Sequence, residues 1–234
     1  MRISFCGTTL EPESKSMKET IKSIKAQSIK VNKIITVFNG NIAQARNKYL
    51  ESVEDDIIFT FDSGCFYEKN YIKKMLECFK DKQVDIVMGV VLPMKPTSLI
   101  QEFCATRIPQ YYRFTEKDWN TFVPSNRQVA FRKEVITKLG YLPEDLSRAD
   151  DTYWYGLARK KGLKFAHCNA IVYWETKKTL KDYLKTVYKD EKFNKKYDIR
   201  PANMPNKINP MLFPYGCFVC FLAMINKFIG GLGV

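Results

Sequence analysis

Residues 55–65, DDIIFTFDSGC, constrain the fold more than any other stretch of this chain. Ile57, Ile58, Phe59, Thr60 and Phe61 form a run of β-branched and aromatic residues with no charge to mark a solvent face. A strand of that kind needs cover on both sides, the condition met in a parallel sheet between layers of helices. Asp62 follows the run, and Ser63-Gly64 supplies turn chemistry. Ligands of open α/β sheets bind outside the carboxyl ends of the strands. Asp62 is therefore a candidate functional carboxylate by position alone.

The flanking segments repeat the same alternation. Residues 2–9 read as a first strand, followed by a helix with a Ser16–Glu19 capping box and an apolar face of Met17, Ile21 and Ile24. Lys33–Phe38 reads as a second strand, closed by Asn39-Gly40-Asn41. Ala43–Val53 and Tyr71–Phe79 read as helices, and Val84–Leu92 as a fourth strand stopped by Pro93. This order predicts a parallel sheet with right-handed crossovers. Residues 93–124, with four prolines, have no clean period and read as a long excursion that helps shape an acceptor pocket. Beyond it the pattern predicts helices at Lys133–Leu139 and Asp150–Lys161, each ended by a glycine, one or two strands within 163–174, and an amphipathic helix at Thr179–Tyr197.

With 234 residues, 45% of them hydrophobic, the chain can bury a sizeable core, and its formal charge of +13 points to an anionic partner. Nucleic acid is not expected, because no binding motif is present and the aromatics do not interleave the basic run. Seven scattered cysteines, with Met1-Arg2 running straight into a strand, suit reduced thiols in the cytoplasm. Cys217 and Cys220 lack a second Cys/His pair at zinc spacing. The region 177–207 holds ten Lys/Arg against four acids. The tail changes character: MLFPYGCFVCFLAMI carries no charge over fifteen residues, short of the roughly 20 that span a bilayer. Spanning, lying on a membrane and packing internally all remain open for it.

Four segments in order resemble the family 2 glycosyltransferases of the GT-A fold. NIAQARNKYLESVEDDIIFTFDSGC resembles that family's Ala-Arg-Asn helix and the strand leading into its Asp-x-Asp turn. VPSNRQVAFRKEVITKLGYLPEDL is similar to its Ser-Asn…Phe-Arg-Lys segment, and RADDTYWYGLARKKGLKFAHCNAIVYW to the helix bearing its catalytic base. ISFCGTTL…IKSIKAQS…KIITVFNG fits the family's opening. The resemblance covers residues 1 to about 190. It implies a Rossmann-like, mostly parallel central sheet flanked by helices at 1–198 and an apolar helical tail at 199–234. It also implies an inverting transfer of sugar from a nucleotide-diphosphate donor to an acceptor hydroxyl or lipid phosphate. A glycan or lipid-linked acceptor at the cytoplasmic face of a membrane fits the basic helix. The alternative is a catalytically degenerate GT-A protein acting as a scaffold.

Residue by residue, the resemblance implies Asp151 as catalytic base with Asp150 beside it. It implies Asp62 and Ser63 at the donor diphosphate, Thr8 and Thr9 at the nucleotide-facing turn, Asn39 near the base or ribose, and Arg46 near the phosphates. The chemistry agrees: a sugar hydroxyl needs a carboxylate to take its proton, and a departing diphosphate needs cations. Two positions depart from the family. Gly64 stands where a second acid is usual, and Trp174 where a His is frequent. Asp62 is then the single obvious ligand for Mg²⁺ or Mn²⁺, a thin site for a hard cation. Three readings stay open: an ion held weakly through Asp62 and the diphosphate, cations such as Arg46, Lys177 or Lys178 in its place, or loss of catalysis with the fold kept.

Overall fold

The structure is a computed structural model that describes residues 1–9, 11–38, 41–105 and 124–196, together with Phe218, Phe221, Leu222 and Ile225. The Asn39 expectation, most of the acceptor-pocket excursion, the Cys217/Cys220 pair and nearly all of the tail lie outside these residues.

Seven strands form one sheet in the order β2-β1-β3-β6-β5-β7-β4. They are β1 (Ile3–Thr9), β2 (Lys33–Phe38), β3 (Ile57–Asp62), β4 (Cys65–Tyr67), β5 (Ile86–Pro93), β6 (Val129–Arg132) and β7 (Phe165–Trp174). The helices are α1 (Lys15–Lys25), α2 (Ile42–Ser52), α3 (Tyr71–Cys78), α4 (Leu99–Ala105), α5 (Glu134–Leu139), α6 (Asp150–Lys160) and α7 (Leu180–Lys196). The expected βαβ order is present: β1 pairs in parallel with both β2 and β3. The sheet is nevertheless mixed, because β6 lies between β3 and β5 and is antiparallel to each, and β4 is antiparallel to β7. The two short strands β4 and β6 were not anticipated. Three or four residues are too few to show a period, and only pairing partners from distant segments make them strands.

The β3 run behaves as its composition requires, with Ile57 to Phe61 all buried. Phe5 stacks on Phe59 with centroids 4.8 Å apart, and Tyr67 and Tyr71 continue the cluster at 4.8 Å, which ties β1, β3, β4 and α3 into one core. Gly7 is required here, because a Cβ would stand 2.6 Å from the Phe61 ring. Helix α2 packs on β1 and β2, α1 on β4 and α3 on β7. Helix α1 starts earlier than the Ser16–Glu19 box suggested. Ser14 is its N-cap and accepts from the Met17 N–H at 3.3 Å, because a turn from Glu11 leaves Ser14 extended just before the helix.

The chain divides into two compact units, Met1–Val91 with Glu116–Trp174, and Leu92–Thr115 with Glu175–Val234. Within the second, α4 and α7 pack through Ile100, Phe103, Leu180 and Tyr183, the two rings meeting edge-on at 5.6 Å. No helix among the described residues is long and apolar enough to cross a membrane. Phe218, Phe221 and Ile225 are helical and exposed.

Candidate active site

The site is built at the carboxyl ends of β1 and β3. Thr8 stands opposite Asp62 in the parallel register, and Thr9 opposite Phe38 of β2, so both threonines and the carboxylate share one sheet edge. The turn after Asp62 is pinned from α1. Thr20 Oγ1 accepts from the backbone N–H groups of Gly64 and Cys65 at 3.1 and 3.2 Å. Gly64 has φ 83°, a left-handed conformation that glycine takes without steric cost. Ser63 lies in this turn, half-buried.

Arg46 comes from α2, whose entry is set by Asn41 capping Ala43 and Gln44. The arginine points into the sheet edge rather than to solvent, with a side chain only 4% exposed. Nη2 donates to Asp62 Oδ1 at 3.1 Å, Nη1 donates to the Tyr49 hydroxyl at 3.1 Å, and Nε pairs with Asp150 Oδ2. Burial alone would lower the guanidinium, but Asp150, Tyr49 and Asp62 outweigh it and hold Arg46 well above its ordinary value. A buried charge of this kind is tolerable only when paired and hydrogen-bonded, and both conditions hold.

Asp150 and Asp151 open α6. Ala149, just before them, has φ 52° and ψ 28°, a left-handed conformation that costs a non-glycine residue about 1–2 kcal/mol. Such strain is kept where the surroundings over-determine it. Asp150 is buried and also accepts from Asn126 Nδ2 at 2.8 Å, and Asn126 Oδ1 accepts in turn from the Tyr155 hydroxyl at 3.0 Å. Asp151 is arranged differently. Its Oδ1 accepts from the neighbouring Thr152 N–H at 2.7 Å, and its Oδ2 has no hydrogen-bond partner among the described residues. Burial pushes the Asp151 carboxyl up to about 6; the charges of Asp150 and Asp62 push the same way, and Arg127 and Arg46 oppose them.

Arg127 completes the cluster and was not singled out from the sequence. Its Nε lies 3.5 Å from Asp62 Oδ2, and its guanidinium lies over the Trp174 ring, 4.0 Å from the centroid. Its carbonyl accepts from the Tyr67 hydroxyl at 3.0 Å. Trp174 reaches this place because β7 pairs with β4, setting Trp174 opposite Cys65 just past the Asp62 turn. The fold thus brings Thr8, Thr9, Asp62 and Ser63 to one edge and joins Asp62 to Asp150 through Arg46. Lys177 and Lys178, offered as substitute cations, belong to the second unit, where Lys178 pairs with Glu175 at 2.7 Å. Asn126 and Arg127 both lie in the Ser-Asn…Phe-Arg-Lys segment, but nothing local gives Arg127 a role, since its side-chain contacts come from the end of β3 and from β7.

Solved structures share this fold. S. aureus TarS 1–349 in complex with UDP is 13% identical, with a TM-score of 0.59 over 99% of this chain and 90% of that one. The mannosyltransferase PcManGT from Pyrobaculum calidifontis, solved with GDP-Man and Mn²⁺, is 13% identical, with a TM-score of 0.59 over 96% of this chain and 73% of that one. Glucosyl-3-phosphoglycerate synthase from Mycobacterium tuberculosis, solved with Mg²⁺ and UDP, has a TM-score of 0.54 at 14% identity, over 86% and 81% of the two chains. At these identities the likeness shows the fold. A sequence relative, the O-antigen chain rhamnosyltransferase WbaN of Salmonella anatum, is 28% identical over 144 residues, 58% of this chain. The matched region spans about half of that relative's length, 46%.

The donor set at Asp62 does not fit a resident divalent ion. Both carboxylate oxygens face guanidinium groups, of Arg46 and Arg127. Among the described residues no group of three or more His, Cys, Asp or Glu side chains gathers around one point. A hard cation needs several oxygen ligands, and guanidinium groups offer none. The family model for glycosyl transferase family 2 matches residues 13–140, more than half of the chain and both strands that pair with β1, and the chain belongs to that family.

Proposed function

We propose that this chain is an inverting glycosyltransferase that moves a sugar from a nucleotide-diphosphate donor to an acceptor hydroxyl or lipid phosphate at a membrane surface. The observation that carries the reading is the Arg46 bridge: one buried guanidinium joins Asp62, on the donor edge, to Asp150, next to Asp151. Donor-side and acceptor-side carboxylates are thereby held in one rigid network. Thr8, Thr9, Asn39, Ser63 and Asp62 serve the donor, Arg46 and Asp150 position the two carboxylate ends, and Asp151 is the base. The roles of Asp150 and Asp151 follow from their partners. Asp150 is occupied by Arg46 and Asn126, while Asp151 keeps an oxygen for an incoming proton.

In the reaction, the acceptor hydroxyl oxygen forms a bond to the anomeric carbon as its proton passes to an Asp151 oxygen. The bond from that carbon to the diphosphate oxygen breaks, and the nucleoside diphosphate leaves with the electron pair. A single displacement inverts the anomeric configuration. The name of the Salmonella relative supports a cell-envelope glycan as acceptor. The ten Lys/Arg of 177–207 and the uncharged tail support association of the domain, residues 1–198, with the cytoplasmic face of a membrane. The test is calorimetric titration with UDP, GDP, CDP and dTDP, then release of the matching diphosphate from its nucleotide-sugar. Base-selective binding, with release lost in D151N, is expected. Binding of none of the four would overturn the reading in favour of the degenerate scaffold.

A further inference from the structure

We infer that Arg127 is the cation that receives the donor diphosphate, held for that task by Asp62 and Trp174 where a divalent ion would otherwise be bound. The inference rests on the proposed donor site and deepens it.

Arg46 is not available for this role: its side chain is 4% exposed, and Asp150, Asp62 and Tyr49 take its nitrogens. Arg127 is 27% exposed and meets Asp62 through Nε, and among the described residues its two terminal nitrogens have no hydrogen-bond or ion-pair partner. Two terminal N–H donors in one plane match two oxygens of a phosphate. The side chain is held from two directions and its backbone from a third. Asp62 forms an ion pair with Nε at 3.5 Å, the Trp174 ring supports the flat face, and the Tyr67 hydroxyl anchors the backbone carbonyl. A guanidinium already oriented binds with little further loss of side-chain freedom.

The residues at the two neighbouring positions act together. Gly64, at φ 83° on the Thr20-pinned turn, leaves Asp62 with no adjacent acid. Trp174 offers an aromatic face, which attracts a guanidinium and has no lone pair for a metal. Asp62 thus acts as a positioning residue: it orients Arg127 at the carboxyl ends of β1 and β3, and the guanidinium neutralises charge on the leaving diphosphate.

The experiment is calorimetric binding of UDP, GDP, CDP and dTDP to the full chain in EDTA and again in Mn²⁺. One diphosphate is expected to bind equally well in both. R127A should weaken it by about 10- to 100-fold in EDTA, the range of a charge-assisted phosphate contact, and R127K should recover part of the loss. W174A should bind about 2- to 30-fold more weakly, and W174F, which keeps a smaller aromatic face, should lose less than W174A. Thermal melting checks each variant; if R127A does not fold, R127K against wild type reads the loss of the planar fork with the charge kept. Binding that needs Mn²⁺ and is indifferent to R127A would overturn the inference and leave the transferase reading standing. No binding of any diphosphate in either buffer would overturn both.

Discussion

Arg46 of α2 and Asp150 of α6 form an ion pair whose side chains are 4% and 6% exposed. Two helices distant in sequence are locked together by it, and the adjacent Asp151 is thereby fixed at the site. The pair costs desolvation, and that cost is offset by Asn126 on the carboxylate and by Asp62 and Tyr49 on the guanidinium.

R46M should destabilise the protein by about 3–5 kcal/mol, because it leaves Asp150 buried without its cation. In a chain of this size that is a fall in Tm of about 6–20 °C. The double variant R46M/D150N should regain more than half of the loss. Urea unfolding of the four proteins of the cycle measures the coupling directly.

D151N should keep nucleoside-diphosphate affinity and lose about 10²- to 10⁴-fold in turnover, the usual contribution of a general base. The wild-type kcat/KM should rise with pH and level off above about 6, where the carboxyl is ionised. Stability runs the other way. The folded-state value, about 6, exceeds the ordinary 3.8, so the folded protein holds the extra proton between them. The contribution of Asp151 to stability is full below 3.8 and lost as pH rises through 6. D151N should abolish that slope, and chemical denaturation at several pH values checks it.

A149G should stabilise the protein by up to about 1 kcal/mol. The left-handed φ of 52° costs alanine about 1–2 kcal/mol, and glycine removes this at a smaller entropic cost in the unfolded chain. A149V should be worse than wild type. Thermal melts of the three read the strain at the start of the helix that opens with Asp150 and Asp151.

Two glycine-to-alanine changes should have opposite signs. At Gly89 of β5 a Cβ would meet the Ala170 carbonyl oxygen at 2.5 Å and the Tyr71 ring at 3.2 Å, so G89A pushes β5 from β7 and should cost about 1–3 kcal/mol. At Gly156, inside α6, a Cβ meets nothing within 4 Å, and G156A should stabilise by about 0.5–1 kcal/mol. Denaturant midpoints decide both.

Residues near one another in sequence carried much of the fold and part of the site. The β3 run, the period of α1 to α3 and the Asp62-Ser63-Gly64 turn are local signals, and each marks the element where it occurs. Helix α6 begins at Asp150, as its two acids and the closing Gly162 suggested. The capping box is an instructive exception: Ser16 and Glu19 have the right spacing, but the turn from Glu11 makes Ser14 the cap. Both serines can cap, and only the path of the preceding chain chooses between them.

What the sequence alone determined was a βαβ chain with a carboxylate, Asp62, at a strand end and two more, Asp150 and Asp151, at a helix start, because strand cover, helix period and turn chemistry depend on residues a few positions apart. What only the tertiary structure decided was the sign of the charge around Asp62. Strand β6 enters the sheet antiparallel between β3 and β5, just after Arg127, and β7 pairs with β4 to bring Trp174 beneath that arginine. Those neighbours come from three separate segments, and nothing within any one of them specifies that a guanidinium, an indole and a carboxylate will meet. Long-range strand pairing alone brings them together.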